Sequence, residues 1–165
     1  MDNPRITIKR TKEELRRYNI FSAIERRPLR RILQYLGPLL GLVQVGIYIF
    51  WVPNTLNLVI GAFLALYPFV IRYSVIRASD KNFDRNNLQD YEVYVTFNED
   101  NFISETDVVC QKIMYSEIFK VYNRKEDIIL FLNRYSGLYI SKSAYDEHIV
   151  TRIIELIQQS IPEKF

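Results

Sequence analysis

Histidine and cysteine are almost absent from this chain of 165 residues, which has one of each, His148 and Cys110. A zinc site needs ligands that one histidine and one cysteine cannot supply, and a disulfide needs a second cysteine. No nucleophile with a partner base is recognisable, so we assign no catalytic, cofactor-binding or metal-binding residue and expect neither enzyme activity nor a cofactor. Cys110 is expected to be a small packed strand residue, and His148 a helix-surface residue.

Charge is missing from one long stretch, although the chain has 22 Lys and Arg and 19 Asp and Glu residues. None of these lies in residues 32–71. Because about 20 apolar residues span the hydrocarbon core of a bilayer, this stretch predicts a transmembrane hairpin of two helices. Pro53 marks the break between the helices, and Asn54 or Thr55 is placed to cap the second one. A buried helical hairpin in a soluble protein is the alternative.

Arginines flank this hairpin on both sides, whereas the turn between its helices carries no charge. The flanking residues are Arg26, Arg27, Arg30, Arg31, Arg72 and Arg77. By the positive-inside rule, this distribution predicts that both termini lie in the cytoplasm. The basic excess is therefore interpreted as a signal of membrane orientation, and nucleic-acid binding is not expected.

Small residues recur at four-residue spacing in both predicted spans. Gly37 and Gly41 form a GxxxG step, and Gly61 with Ala65 forms a similar step in the second span. Such steps let helix backbones approach closely. Packing within the hairpin is favoured, and dimerisation stays open as an alternative. The spans hold no ionisable side chain, so a proton relay or ion-coupled transport has no carrier.

Residues 1–31 are predicted to form a short strand and a basic helix next to the membrane. Ile6 and Ile8 alternate with polar residues, as in a half-buried strand. Thr11 and Glu14 form a capping box that opens a helix through about residue 27. The basic side chains of this helix either bind lipid headgroups or form a solvated face, and both alternatives stay open.

Residues 72–90 are predicted to be a polar connector, and residues 91–165 a cytoplasmic domain of short strands and one helix. Alternation begins at Tyr91, and further strand-like runs lie at 102–106, 108–115, 118–123, 128–132 and 138–141. One apolar face along 144–160 predicts a closing helix that covers the sheet. A lone strand is not stable in water, so the strand around Ile6 is expected to join this sheet. The hairpin would then be an insertion into one α+β domain.

The order of these parts and two local patterns resemble the YcxB-like family of small bacterial membrane proteins, over most of the chain. The patterns are Tyr115-Ser116-Glu117-Ile118 and Ile140-Ser141-Lys142-Ser143-Ala144-Tyr145, with motif positions Tyr115, Ile118, Lys142 and Tyr145. The family usually has tryptophan where Tyr115 stands and proline where Ser141 stands. The resemblance implies a cytoplasmic domain similar to a pleckstrin-homology barrel, but no established activity.

We therefore expect a bacterial inner-membrane protein whose two-helix hairpin anchors a cytoplasmic antiparallel meander with a C-terminal helix. The expected function is a binding or scaffold module for an unidentified protein partner. Residues 91–165 hold eight Lys and Arg against twelve Asp and Glu, which disfavours a phosphoinositide site and favours protein binding at a sheet edge. Two alternatives stay open: an immunity or accessory protein for a membrane-acting partner, and an uncharacterised enzyme, which the missing nucleophile and base disfavour.

Overall fold

The computed structural model describes residues 3–51, 53–88 and 92–164. The chain divides into two compact units. Residues 1–14 and 87–165 form the sheet unit, and residues 15–86 form the helical unit. The expected mixture of helices and antiparallel sheets is confirmed, and each unit is described by itself below.

Seven strands of the sheet unit form two antiparallel sheets. The first sheet has the order β1-β2-β3-β4, with strands at Arg5–Lys9, Glu92–Phe97, Asn101–Glu105 and Cys110–Met114. The second has the order β5-β6-β7, with strands at Lys120–Asn123, Asp127–Phe131 and Gly137–Ser141. Tyr91, where the predicted alternation begins, lies outside the described residues.

The expected closed barrel is wrong, because both sheets are open. Between β4 and β5 the chain makes a 3₁₀ turn, Tyr115–Glu117, and Tyr115 and Ile118 are buried there. These side chains fill the core, and no ladder continues from β4 to β5 among the described residues. Each of these two strands therefore has a neighbour on one side only.

β1 pairs with β2 although the whole helical unit separates them in sequence. Ile6 lies opposite Val95 and Ile8 opposite Val93, and all four side chains are buried. This is the pairing that the alternation of Ile6 and Ile8 predicts. Because a strand with one apolar face needs a sheet to cover it, the first residues of the chain complete a sheet formed mostly by later ones.

The core of the sheet unit lies under helix α4, Glu147–Ser160. One face of α4 buries Val150, Ile153, Leu156 and Ile157 among the inward side chains of the strands. Burying each large apolar side chain contributes about 1.5–3 kcal/mol to folding. The helix begins later than expected, because residues Lys142–Ala144 form a 3₁₀ turn.

The remaining helices are α1, Lys12–Ile20, α2, Pro28–Phe50, and α3, Thr55–Arg85. The capping box at the start of α1 is confirmed: the Glu14 amide donates to Thr11 Oγ1, and the Thr11 amide donates to Glu14 Oε2, both at 3.1 Å. Asn54 caps α3, because its Oδ1 accepts a hydrogen bond of 2.9 Å from the Leu56 amide. A π-helical turn, Phe21–Glu25, interrupts the single helix predicted through about residue 27.

α3 continues to Arg85, through most of the predicted polar connector of residues 72–90. The Arg16 guanidinium donates to both carboxylate oxygens of Asp80, at 2.6 and 2.7 Å. Beside this pair, Asn19 Nδ2 donates to Ser79 Oγ at 2.9 Å, and both Ser79 and Phe83 are buried. These contacts with α1 stabilise a helical extension that the polar composition alone does not reveal.

By length and composition, α2 and α3 are both long and apolar enough to cross a membrane. Small residues lie between them. A Cβ atom added at Gly41 would lie 2.6 Å from both the Ala65 nitrogen and the Gly61 oxygen, and one at Gly37 would lie 3.3 Å from the Leu64 oxygen. The backbones of α2 and α3 therefore touch, as expected for packing within the hairpin.

Gly41→Ala is expected to destabilise the hairpin by about 1–3 kcal/mol, because the new methyl group meets backbone atoms that cannot move aside. Gly46→Ala is the matched control, since no atom lies within 4 Å of a Cβ at that position. It should leave stability unchanged or raise it slightly through helix propensity. Thermal unfolding of the detergent-solubilised protein measures both, and equal melting temperatures for the two variants would contradict the close contact.

Candidate functional site

Each open sheet has two edge strands, and these strands are candidate binding surfaces of the sheet unit. An edge strand presents every second backbone N–H and C=O to its surroundings, ready to pair with another chain. The edges here are β1, β4, β5 and β7. Side chains cover parts of two of these edges, β1 and β4.

The β1 edge is partly covered by Tyr145. In an antiparallel pair, every second residue hydrogen-bonds to the neighbouring strand. The Phe97 amide donates to the Pro4 oxygen at 2.9 Å, so the backbone groups of Thr7, three residues further on, point away from β2. The Thr7 oxygen accepts a hydrogen bond of 2.9 Å from the Tyr145 hydroxyl. Burial, assisted by the Glu14 carboxylate, raises the pKa of Tyr145 to about 12. This motif residue therefore connects the segment after β7 to the first strand.

The outer face beside β1 is occupied by ion pairs. Lys9 Nζ lies 2.6 Å from Glu92 Oε1, and their hydrogen bond raises the pKa of Lys9 and lowers that of Glu92. The Arg5 guanidinium lies 5.5 Å from the centre of the Tyr94 ring and 3.4 Å from Glu105 Oε2. These charges are satisfied within the sheet and leave little for a ligand.

Lys142 contacts the turn that follows β5. Its Nζ donates to Asn123 Oδ1 at 2.6 Å and to the Arg124 oxygen at 2.5 Å. In the same turn, the Arg124 guanidinium donates to both carboxylate oxygens of the buried Asp127, at 2.7 and 2.6 Å. Lys142 therefore fixes the β5–β6 turn, and its position explains why a lysine follows β7.

The other two motif residues are buried. The Tyr115 hydroxyl donates to the Asn98 oxygen at 2.8 Å, which fixes the β2–β3 turn. Burial is the main reason that the pKa of Tyr115 is raised, and the Asp100 carboxylate adds to the effect. Ile118 is a core residue. The four motif positions thus hold strand ends together and do not line one cavity.

The β4 edge is open over part of its length. The Thr106 amide donates to the Val109 oxygen at 2.8 Å, and the Tyr115 amide to the Asp100 oxygen at 3.0 Å. Alternation then directs the backbone groups of Cys110, Lys112 and Met114 away from β3. The Glu117 carboxylate covers the Met114 N–H at 3.2 Å. In the described part of the chain, no hydrogen bond covers the outward groups of the other two residues.

Cys110 lies on this edge, and the expectation that it is packed is wrong. It is exposed, with its Sγ 3.9 Å from Glu105 Oε1. The alternation of β4 places Ile113 in the core and leaves Cys110 and Lys112 on the outer side. The apolar neighbours Val108 and Val109 in the sequence do not show on which face of the strand Cys110 lies.

Exposed apolar side chains lie in β4 and close to it in sequence. Val108 is 89% exposed, Val109 57%, Met114 38% and Phe119 48%. With Cys110 and Lys112 they form what we call the β4 patch. Exposed apolar groups beside unpaired backbone are typical of a surface that binds an extended chain.

The other predicted residues lie in the helical unit or on α4. Arg30 donates to the Ala23 oxygen at 3.0 Å, and the flanking arginines stand around the start of α2 and along α3. His148 is exposed on α4, as predicted, where five residues of that helix and its N-cap residue Asp146 line an open depression of about 650 Å³. Among the described residues, no group of three His, Cys, Asp or Glu could hold a metal ion.

Tyr145→Phe is expected to lower stability by about 1 kcal/mol at neutral pH, because the hydrogen bond to Thr7 is lost. The folded state raises the pKa of Tyr145 from 10 to about 12, so it favours the protonated hydroxyl. This contribution is complete below pH 10 and is lost as the pH rises from 10 towards 12. The melting-temperature difference between wild type and variant should therefore shrink over that range. A constant difference would contradict the assignment.

The chain has no match among protein-family models, curated proteins or solved structures. The resemblance to the YcxB-like family therefore stays a prediction that rests on the residues named above. Among the surfaces of the sheet unit, the β4 patch presents uncovered backbone beside exposed apolar side chains.

Proposed function

We propose that the protein is a membrane-anchored binding module that holds an extended segment of another protein along β4. The hairpin of α2 and α3 is the anchor, with both termini in the cytoplasm of a bacterial cell. The observation that carries this proposal is the uncovered backbone of Cys110 and Lys112 beside the exposed apolar side chains of the β4 patch. Strand addition uses such backbone for affinity and the flanking side chains for specificity.

The charge of Lys112 indicates the kind of segment that fits. In an antiparallel pair of two copies centred on this strand, Lys112 would face the same lysine of the second copy, and like charges directly opposite are destabilising. A segment with an acidic residue opposite Lys112 and apolar residues on either side is complementary instead. The partner is therefore a different protein rather than a second copy of this chain.

The resemblance to the YcxB-like family belongs to the same proposal. A four-stranded and a three-stranded sheet with a terminal helix, in this chain order, support a likeness to pleckstrin-homology domains without barrel closure. The motif residues Tyr115, Lys142 and Tyr145 support a structural role for the family pattern, since each hydrogen-bonds to backbone at a turn or strand edge.

Photo-crosslinking from Cys110 tests the β4 proposal, because the chain's only cysteine already lies in the patch. A benzophenone-maleimide probe at Cys110 should give discrete adducts in native membranes. Lys112→Pro should reduce them about tenfold, because it removes an outward N–H and leaves the bonds to β3 intact. Lys112→Ala is the matched control, since it keeps that N–H.

Thermal unfolding should give the same melting temperature for Lys112→Pro and Lys112→Ala, which checks that both variants fold. Adducts that persist undiminished in Lys112→Pro would contradict strand addition. Equal adducts from a probe at Thr151→Cys in a Cys110→Ser background would also contradict it, because Thr151 is an exposed residue of α4 and belongs to no strand.

Cysteine labelling tests the orientation of the hairpin. In a Cys110→Ser background, Asn54→Cys should react with a membrane-impermeant maleimide in intact cells, and Glu163→Cys should be shielded until the cells are lysed. The reason is that the arginines flanking the charge-free stretch stay on the cytoplasmic side. Labelling of Glu163→Cys from outside would overturn this orientation.

A further inference from the structure

The charges of the helical unit are concentrated at its two ends in sequence. Residues 15–31 and 72–86 hold ten Lys and Arg against three Asp and Glu, a net charge of +7, whereas the sheet unit carries −4. One of the three acidic residues, Asp80, is engaged by Arg16 at 2.6 Å. The helical unit therefore keeps a large positive excess that its own carboxylates cannot neutralise.

The packing of α2 against α3 determines which of these charged residues lie at the same distance from the helix contact along the helix axes. The two helices are antiparallel, with Gly41 against Gly61. Arg31 stands ten residues before Gly41 and Arg72 eleven after Gly61, so both lie about 15–17 Å from that contact along the helix axes. They are at the same end of the hairpin.

A second pair of arginines lies at the same end of the hairpin, further from the contact between Gly41 and Gly61. Arg27 precedes Gly41 by 14 residues and Arg77 follows Gly61 by 16, about one to two turns beyond the first pair. Arg27, Arg31, Arg72 and Arg77 are all exposed, and within the described residues none of them is in an ion pair. We call these four residues the arginine belt.

Exposed apolar side chains adjoin the arginine belt in sequence on both helices. Tyr35 (72% exposed) and Phe69 (70%) lie on the side of the arginines that is nearer the Gly41–Gly61 contact, and Leu29 (74%) and Tyr73 (63%) lie between the arginines. A surface that changes from apolar and aromatic to basic along a helix axis matches the change from acyl chain to headgroup in a bilayer. Free phosphate in water would use only the basic part of this surface.

We propose that the arginine belt binds the phosphate groups of anionic phospholipids. Guanidinium groups form bidentate hydrogen bonds to phosphate oxygens, which an ammonium group cannot do. All four belt positions are arginine rather than lysine, although lysine would serve equally well for orientation by charge alone. This inference rests on the proposed membrane anchoring but not on the β4 patch.

Lipid retention by the full-length protein tests the proposal. The protein is reconstituted in vesicles of equal parts phosphatidylcholine and phosphatidylglycerol, extracted in mild detergent, and its bound lipid is counted by native mass spectrometry. Wild type should retain phosphatidylglycerol in excess. The double variant Arg31→Lys/Arg72→Lys keeps the net charge but should reduce this excess about fivefold, because bidentate contacts are lost. Arg85→Lys, about 20 Å further along α3 than Arg72, should change nothing.

Four outcomes would overturn the inference: equal retention of the two lipids by wild type, undiminished retention by the lysine double variant, the same loss in Arg85→Lys, or displacement of the lipid by millimolar inorganic phosphate. If the first double variant melts at a lower temperature, Arg27→Lys/Arg77→Lys replaces it with the same expectation. Alkaline extraction of membranes separates the two proposals. Release of the protein would refute the anchoring itself, whereas an integral protein without phosphatidylglycerol enrichment would refute only the arginine belt.

Discussion

The pairing of β1 with β2 is the constraint on which the sheet unit depends. Ile6 and Ile8 cover Val95 and Val93 at one end of the first sheet, and the Tyr145 hydroxyl bonds to the backbone of Thr7 in the same strand. Without β1, β2 would become an edge and lose its cover. Residues on both sides of the hairpin therefore belong to one hydrophobic core, which makes the two helices an insertion into a domain rather than an appendage to one.

Local patterns predicted the elements whose signal lies within a few residues. Alternation indicated β1, the Thr11 capping box and the Asn54 cap marked helix starts, and the charge-free stretch indicated α2 and α3. The end of α3 was missed because contacts between residues about 60 positions apart, Arg16 with Asp80 and Asn19 with Ser79, stabilise it. Composition over residues 72–85 does not contain that information.

The sequence predicts the kind of candidate site, a sheet edge, but not its place in the fold. A sheet edge was expected to bind a partner, but which edge is open depends on strand order, on register and on the side chains that cover the other edges. Lys142 contacts the turn after β5, and Tyr145 covers part of β1, from positions that no spacing rule connects with those strands. The exposure of Cys110 was mispredicted for the same reason, because its strand neighbours, not its sequence neighbours, decide which face is buried.

The close contact of Gly41 with Gly61 also bears on the order in which the chain folds. β1 is synthesised before β2, and 82 residues separate the two strands, so a flexible chain would have to close a long loop. Once α2 and α3 have packed against each other, most of that loop is already folded back on itself. Each halving of the free length lowers the entropic cost of closure by about 0.6 kcal/mol. Assembly of the hairpin thus prepares the first sheet to close, and a chain with a loosened hairpin would form that sheet more slowly.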